Sequence, residues 1–287
     1  MARLTIHHRT TYRYRRPVVF GPHRLMIRPR DGHDLRVVAS ELVLSPPADV
    51  RWTYDVFGNS IATARFASPA TTLAVESRLV VDRFLDLEPS REIEDFARAF
   101  PFRYSDDDRI DLGAFLVPQE ADPDRRLARW AADFVAGRPT DTLALLGDMN
   151  AGISAWVFYQ SRDYEGTQTP LETLDRGWGS CRDLAVLLME AVRHLGFGAR
   201  IVSGYHAGAR SGPGAAMPGS THAWVEIFVP GPGWIAFDPT NRTVGDGALV
   251  PIARARSIRQ VVPVAGSFNG VPDDFLGLDV GVTVHSE

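Results

Sequence analysis

The 287-residue sequence contains no lysine: all 31 of its basic residues are arginine. A chain of this composition has no lysine side chain of its own to serve as an acyl acceptor. Cysteine is nearly as scarce. A single one, Cys181, excludes an internal disulfide framework and a cysteine-based zinc site. There is no surplus of positive charge. The net charge of -4 provides no basic field for a nucleic-acid partner. No apolar run reaches the roughly 20 residues of a membrane-spanning helix, so no membrane partner is expected. The opening residues, MARLTIHHRTTYRYRR, lack the apolar stretch of a secretory signal, and the expected compartment is the cytoplasm. Asp106-Asp107-Asp108 lacks the spacing and the closing glutamate of a calcium loop and reads as a solvated loop. No metal or cofactor site is expected. Internal repeats and low-complexity tracts are absent.

The lone cysteine stands at a place with chemical meaning. Gly177-Trp178-Gly179-Ser180-Cys181-Arg182-Asp183 leads into Leu184, Leu187, Leu188, Ala191, Val192 and Leu195, which recur at helical spacing before Gly196 and Gly198. Ser180 and Asp183 have the spacing of a capping box, which makes Ser180 the N-cap and Cys181 the first helical residue. Unpaired N–H groups and the positive end of the helix dipole favour an anion there, and a thiol is pushed toward thiolate. A buried, inert thiol is the alternative, but that needs neither a flanking glycine nor a helix start.

The first third of the chain reads as strands: residues 3–14, 35–44, 50–56, 60–66 and 71–81, separated by turn signals, with 20–30 extended and turn-rich. Asp55 to Ser60 reads as a hairpin connection with glycine at the left-handed position. Together these predict a small β-sandwich. His7, His8, His23 and His33 read as scattered surface histidines. From about residue 88 the pattern changes. Helices are expected over 91–100, from Asp122 to about Ala136, and from about Asp141 to Tyr159 capped by Thr140; Thr167 to Leu174 begins with a polar loop and leads into the turn before Cys181. Ala199 to Tyr205 is a strand. His206 to Ser220 is rich in glycine and proline and reads as a surface loop bordering a cleft. Leu278 to Val284 is a final strand candidate.

A thiolate nucleophile needs a base, and the base needs an orienter. His222 opens the strand His222 to Val229, and Asp238 closes the strand Trp234 to Asp238. If the intervening turn has an odd number of residues, Val229 pairs with Gly233 and Trp224 with Asp238. His222 then lies diagonally from Asp238 on one face. An even turn puts them on opposite faces. Glu226 shares the His222 face and is read as reaching solvent at its far end.

Four stretches together resemble the bacterial transglutaminase-like family. They are Gly179-Ser180-Cys181-Arg182-Asp183-Leu184-Ala185, Gly198 to Tyr205, Thr221-His222-Ala223-Trp224-Val225-Glu226, and Gly233 to Asn241. The opening His8-Arg9-Thr10-Thr11-Tyr12-Arg13-Tyr14, with Leu25 to Arg30 and Asp55 to Asn59, is similar to that family's N-terminal domain. The resemblance implies an α+β fold: an N-terminal antiparallel β-sandwich followed by a papain-related core whose cysteine helix packs on an antiparallel sheet. The corresponding division is residues 1–87, 88–265 and a tail at 266–287. It further implies Cys181 as nucleophile, His222 as base and acid, and Asp238 as orienter, acting on a peptide or protein substrate. Hydrolysis of peptide or amide bonds is the expected reaction. Transfer of a glutamine acyl group to an amine and an inactive binding module that keeps the fold are the alternatives. The oxyanion would meet the Cys181 N–H and one further donor, with Tyr159, Gln160 and Gln168 as candidates.

Overall fold

The computed structural model describes residues 2–84, 92–161, 166–207, 216–245 and 247–286. The N-terminal third is built of β1 (Ala2–Phe20), β2 (His23–Leu25), β3 (Leu35–Ser45), β4 (Ala48–Tyr54), β5 (Ser60–Phe66) and β6 (Ala70–Arg83). Among the described residues five α-helices follow: α1 (Asp106–Leu112), α2 (Arg126–Ala132), α3 (Thr142–Trp156), α4 (Pro170–Arg176) and α5 (Cys181–His194). The remaining long strands are β7 (Ala199–His206), β8 (Ala216–Val229), β9 (Gly233–Asp238), β10 (Leu249–Ala255) and β11 (Phe275–Ser286). The result is an α+β molecule. None of the described helices is long and apolar enough to cross a membrane.

Two sheets make the expected sandwich. One runs β11-β1-β6-β3, and the other runs from Val264–Ala265 through β2 and β5 to β4. Leu25, Ile27, Ala62, Ala64, Val75 and Val264 fill the space between them. The hairpin between β4 and β5 turns through Gly58 at φ 74°, the left-handed conformation its position required. Alternation along β1 buries Leu4, Ile6, His8 and Thr10. There Leu4, Ile6, Leu79 and Val81 pack on Tyr205, Val250 and Ile252 of β7 and β10. The N-terminal third therefore lies directly against the core.

Two histidines expected at the surface are buried, His8 by that contact and His23 beside Phe20 and Phe66. His8 Nδ1 is 2.9 Å from the Tyr205 hydroxyl and its Nε2 is 2.9 Å from Thr10 Oγ1. Burial, with His7 alongside, lowers its pKa to about 4. His23 donates from Nδ1 to the Gly21 carbonyl at 2.9 Å. For His8 composition alone could not show this, because Tyr205 lies in a distant segment.

The core sheet is antiparallel, with β8 between β7 and β9 and β10 beyond β7. Its inner face, including Val225, Ile227, Ile201 and Phe237, packs on Leu184, Leu187, Leu188 and Val192 of α5. Each such buried aliphatic side chain contributes about 1.5–3 kcal/mol. The N-terminal end of β8 pairs with β11 over 216–219, and β11 pairs with β1 along most of its length. One ten-stranded sheet thus runs through both parts of the chain.

Several local expectations are corrected. The helix expected over 91–100 is a single 3-10 turn, Asp95–Ala97, followed by a short strand, Ala99–Phe100, paired with Thr140–Asp141; residue 91 lies outside the described residues. Asp106, Asp107 and Asp108 form the first turn of α1, with Ser105 Oγ accepting from the Asp108 N–H at 3.0 Å. Acidic side chains at a helix start are favoured by its dipole. Helix α2 begins at Arg126 because Asp122 accepts from the Leu127 and Ala128 N–H groups instead of opening the helix itself. The α3 N-cap is Asp141, one residue after Thr140. After the polar start of 167–174, where no helix is expected, Pro170–Arg176 form α4. Of the expected loop 206–220, residues 208–215 lie outside the described residues, whereas 216–220 extend β8.

Candidate active site

The end of α4 leads into the site. Its C-cap Gly177 has φ 66°, and Trp178–Gly179 then pairs in parallel with Phe158–Tyr159. Helix α5 starts where expected. Asp183 Oδ2 accepts from both the Ser180 N–H and the Ser180 hydroxyl at 2.8 Å, and Oδ1 accepts from the Gln168 N–H at 2.7 Å. The buried Asp183 carboxylate thus ties the helix start to the strand before it and the segment upstream. Gly179 is required by this contact, since a Cβ there would stand 2.8 Å from Asp183 Cβ. Cys181, partly buried, is the first residue of the helix.

The hairpin register decides the rest. Val229 pairs with Gly233 and Val225 with Phe237, so the turn holds three residues, 230–232, and the odd register is the one adopted. His222 Nε2 lies 2.7 Å from Asp238 Oδ2. His222 is 7% exposed and Asp238 is fully buried. Asp238 Oδ1 also accepts from the Thr240 and Asn241 N–H groups at 3.0 and 3.3 Å, and Asn241 Nδ2 donates to Oδ2 at 2.7 Å. Because Nε2 of His222 is taken by Asp238, Nδ1 is the nitrogen left to face Cys181, with which the ring shares a hydrogen bond.

The backbone of β8 explains how the sulfur reaches that ring. Phe228 donates its N–H to Gly198, just before β7, so even-numbered residues of β8 bond toward β7 and odd-numbered ones toward β9. The β8–β9 ladder stops at Val225. One step further, the Ala223 N–H donates to the Cys181 sulfur instead. The start of α5 takes the place of the missing strand residue.

The electrostatics follow from these contacts. Burial pushes the Cys181 thiol up, but the His222 hydrogen bond and charge, the Ala223 N–H and Arg182 outweigh it, and the thiol pKa is lowered. Burial likewise opposes charge on His222, yet its hydrogen bonds to Asp238 and Cys181 raise its pKa to about 9. Against burial, His222 and Asn241 hold the Asp238 carboxyl below its usual range. A thiolate–imidazolium pair braced by a carboxylate is the state these contacts favour.

A cleft of about 810 Å³ opens over Cys181 and His222. Tyr159 and Gln168 line it; Gln160 does not, and its backbone N–H is bonded to Gly179. Gln168 is 4% exposed, and its side-chain Nε2 and Oε1 meet no hydrogen-bond partner among the described residues. Val261 to Gly266 and three residues of β11, Leu278, Val280 and Val282, also line it. Sequence reasoning did not foresee that wall. It also missed Asn241, whose spacing of three from Asp238 was the available signal, and the His206 ring, 5.6 Å from that of His222. Glu226 does not reach solvent. It is buried between Arg200, at 2.6 Å, and Arg254, at 3.0 Å. Among the described residues no group of three His, Cys, Asp or Glu side chains is placed to hold a metal ion.

A cysteine at a helix start, beside a histidine and an aspartate on adjacent antiparallel strands, places the molecule in a known structural class. Residues 128–239 match the model of the transglutaminase-like superfamily, and residues 4–82 match that of the bacterial transglutaminase-like N-terminal region. The core region thus belongs to the transglutaminase-like superfamily, a family of cysteine-dependent enzymes, and the N-terminal third is a bacterial transglutaminase-like N-terminal region. An uncharacterized protein of Mycobacterium leprae (strain TN) is 23% identical over 287 residues, a match covering 94% of each chain. The crystal structure of a candidate cysteine protease from Cytophaga hutchinsonii shares the fold, with a TM-score of 0.71 at 21% identity over 100% of this chain and 89% of the other.

Proposed function

We propose that the protein is a thiol hydrolase that cleaves peptide or amide bonds, with Cys181 as nucleophile, His222 as acid and base, and Asp238 as orienter. The observation that carries this reading is the His222 ring, bonded on Nε2 to a buried carboxylate and sharing its other hydrogen bond with the only thiol in the chain. The thiolate attacks the amide carbonyl carbon. The tetrahedral oxyanion takes the Cys181 N–H, which has no acceptor within the helix, and the amide of Gln168, whose buried donor is otherwise unmatched. Collapse breaks the C–N bond, the amine departs with the His222 proton, and a thioester remains. His222 then takes a proton from water, whose oxygen attacks the thioester and releases the acid and the thiolate.

The test is a quenched-peptide library incubated with the native protein and with Cys181→Ala, with and without an added primary amine, and read by product mass. The expected products are free acids, lost entirely with Cys181→Ala. Amine-conjugated products in preference to acids would make the protein a transamidase. Turnover that survives the substitution would remove the mechanism.

A further inference from the structure

The cleft has two unlike linings. Among its lining residues, Gln168, Thr169, Ser180, Thr221 and His222 are polar and accompany Cys181, and Glu120, Arg182 and Arg259 are charged. A second set, Val262, Pro263, Ala265, Leu278 and Val280, carries no charge and no side-chain hydrogen-bonding group. Val280 is 48% exposed and Val262 38%. Apolar surface left open beside a reactive group is a binding surface in most proteins.

This wall is also fixed in place. Leu278, Val280 and Val282 are alternate residues of β11, so they share one face of it. Leu278 pairs with Tyr12 of β1, and Val282 pairs with both His8 of β1 and Gly219 of β8. The same strand, β8, carries His222 a few residues on. The other half of the wall is pinned by Val264 and Ala265, which pair with Leu25 and Arg24 of β2. The N-terminal region therefore scaffolds one bank of the cleft and braces the histidine strand, and it does not hang free of the site.

We infer that this bank is the specificity surface of the site: it takes an aliphatic or aromatic side chain of an extended peptide whose scissile amide lies at Cys181. The inference rests on the hydrolase reading for the position of the amide, but the side-chain preference comes from the wall. Backbone amides of the peptide meet the polar residues. An acidic side chain packed on these apolar residues would lose its hydration without a hydrogen bond from them; the charged lining residues, Glu120, Arg182 and Arg259, lie outside that set.

The experiment separates the two readings by measuring binding without chemistry. Acetyl-Ala-Leu-Ala-amide and acetyl-Ala-Asp-Ala-amide are titrated calorimetrically into Cys181→Ala, and then into the same protein carrying Val280→Asp or Val262→Asp. Both positions are solvent-accessible, so the added carboxylates leave the core untouched. The leucine peptide is expected to bind at least about 10-fold more tightly, a preference of the size hydrophobic pockets give, and either substitution should erase it. Equal affinities, no binding of either peptide, or a preference that survives both substitutions would overturn the inference. Iodoacetamide labelling of native Cys181 is read in parallel. Failure to label, with the leucine preference intact, would sink the hydrolase reading alone.

Discussion

His222 and Asp238 lie on adjacent strands and meet at 2.7 Å because three residues, and not two or four, join those strands. The pairing charges the imidazole: its pKa is raised to about 9, while the thiol beside it is lowered. Two opposite limbs follow. Hydrolysis should rise with pH through the lowered thiol value and fall as His222 loses its proton near pH 9. Iodoacetamide needs the thiolate and no acid, so labelling should rise on the same acid limb and show no fall at alkaline pH. The pH profiles of kcat/KM and of labelling, measured side by side, check this. A labelling profile identical to that of free cysteine would show that the pair does not form.

Asp238→Asn replaces an acceptor with a group that presents both a donor and an acceptor. The buried imidazolium loses its counter-charge, and the His222 tautomer is no longer held. The expected loss in kcat is roughly 10²–10⁴-fold, by the logic of triad orienters. Because Asp238 is one of the groups that raise His222, the alkaline limb should also move below pH 9. Asn241→Ala removes a single donor from the Asp238 carboxylate and should leave kcat within about 10-fold, since Asn241 is exposed and water can replace it. Equal effects of the two substitutions would contradict the assignment of Asp238 as orienter.

What the sequence could and could not reveal follows from the range of the forces involved. Helix α5 was legible because its signals are local: Ser180 and Asp183 at one end, an apolar stripe along its face, Gly196 at the other. The meeting of His222 and Asp238 was legible up to one parity question, which only the turn could answer. Helix α4 carried local signals too, since Thr169 and Glu172 form a capping box, Pro170 sits at the first turn and Gly177 closes it. Its few apolar residues hid it. The cleft wall and the strand character of 216–220 were beyond local reading. Both depend on β11, whose partners, β1 and β8, lie some 270 and 65 residues away in sequence. The burial of His8 has the same cause, because Tyr205 is 197 residues distant.

Gly204 sits opposite His222 in the β7–β8 ladder. A Cβ there would collide with the Val250 carbonyl oxygen and stand 2.8 Å from Trp224 Cη2. Backbone cannot yield as a flexible side chain can, so Gly204→Ala should separate β7 from β10 and disturb the strand that carries His222. A stability loss of about 1–3 kcal/mol is expected from overpacking of this kind, together with reduced kcat. Urea denaturation of the variant checks the first part. A variant as stable as the parent would show that the β7–β10 ladder is looser at this point than the contacts imply.

Glu226 tests whether the polar face of the core sheet is structural or catalytic. It shares a strand face with His222 and Trp224, but its carboxylate is held by Arg200 and Arg254, and the Arg200 guanidinium lies 4.0 Å over the Trp234 ring. Glu226→Ala would leave two arginines facing each other with no counter-charge. Removing one partner of a fully buried ion pair costs about 3–5 kcal/mol. Here the arginine side chains keep some contact with water, 21% and 31% exposed, so a loss of about 2–3 kcal/mol is expected. Glu226→Gln keeps the volume and one acceptor and should lose less. Because the cluster lies at the far end of the strand from the thiol, kcat of the folded enzyme should stay within about threefold for both variants. A large drop in kcat at unchanged stability would instead make Glu226 part of the catalytic apparatus.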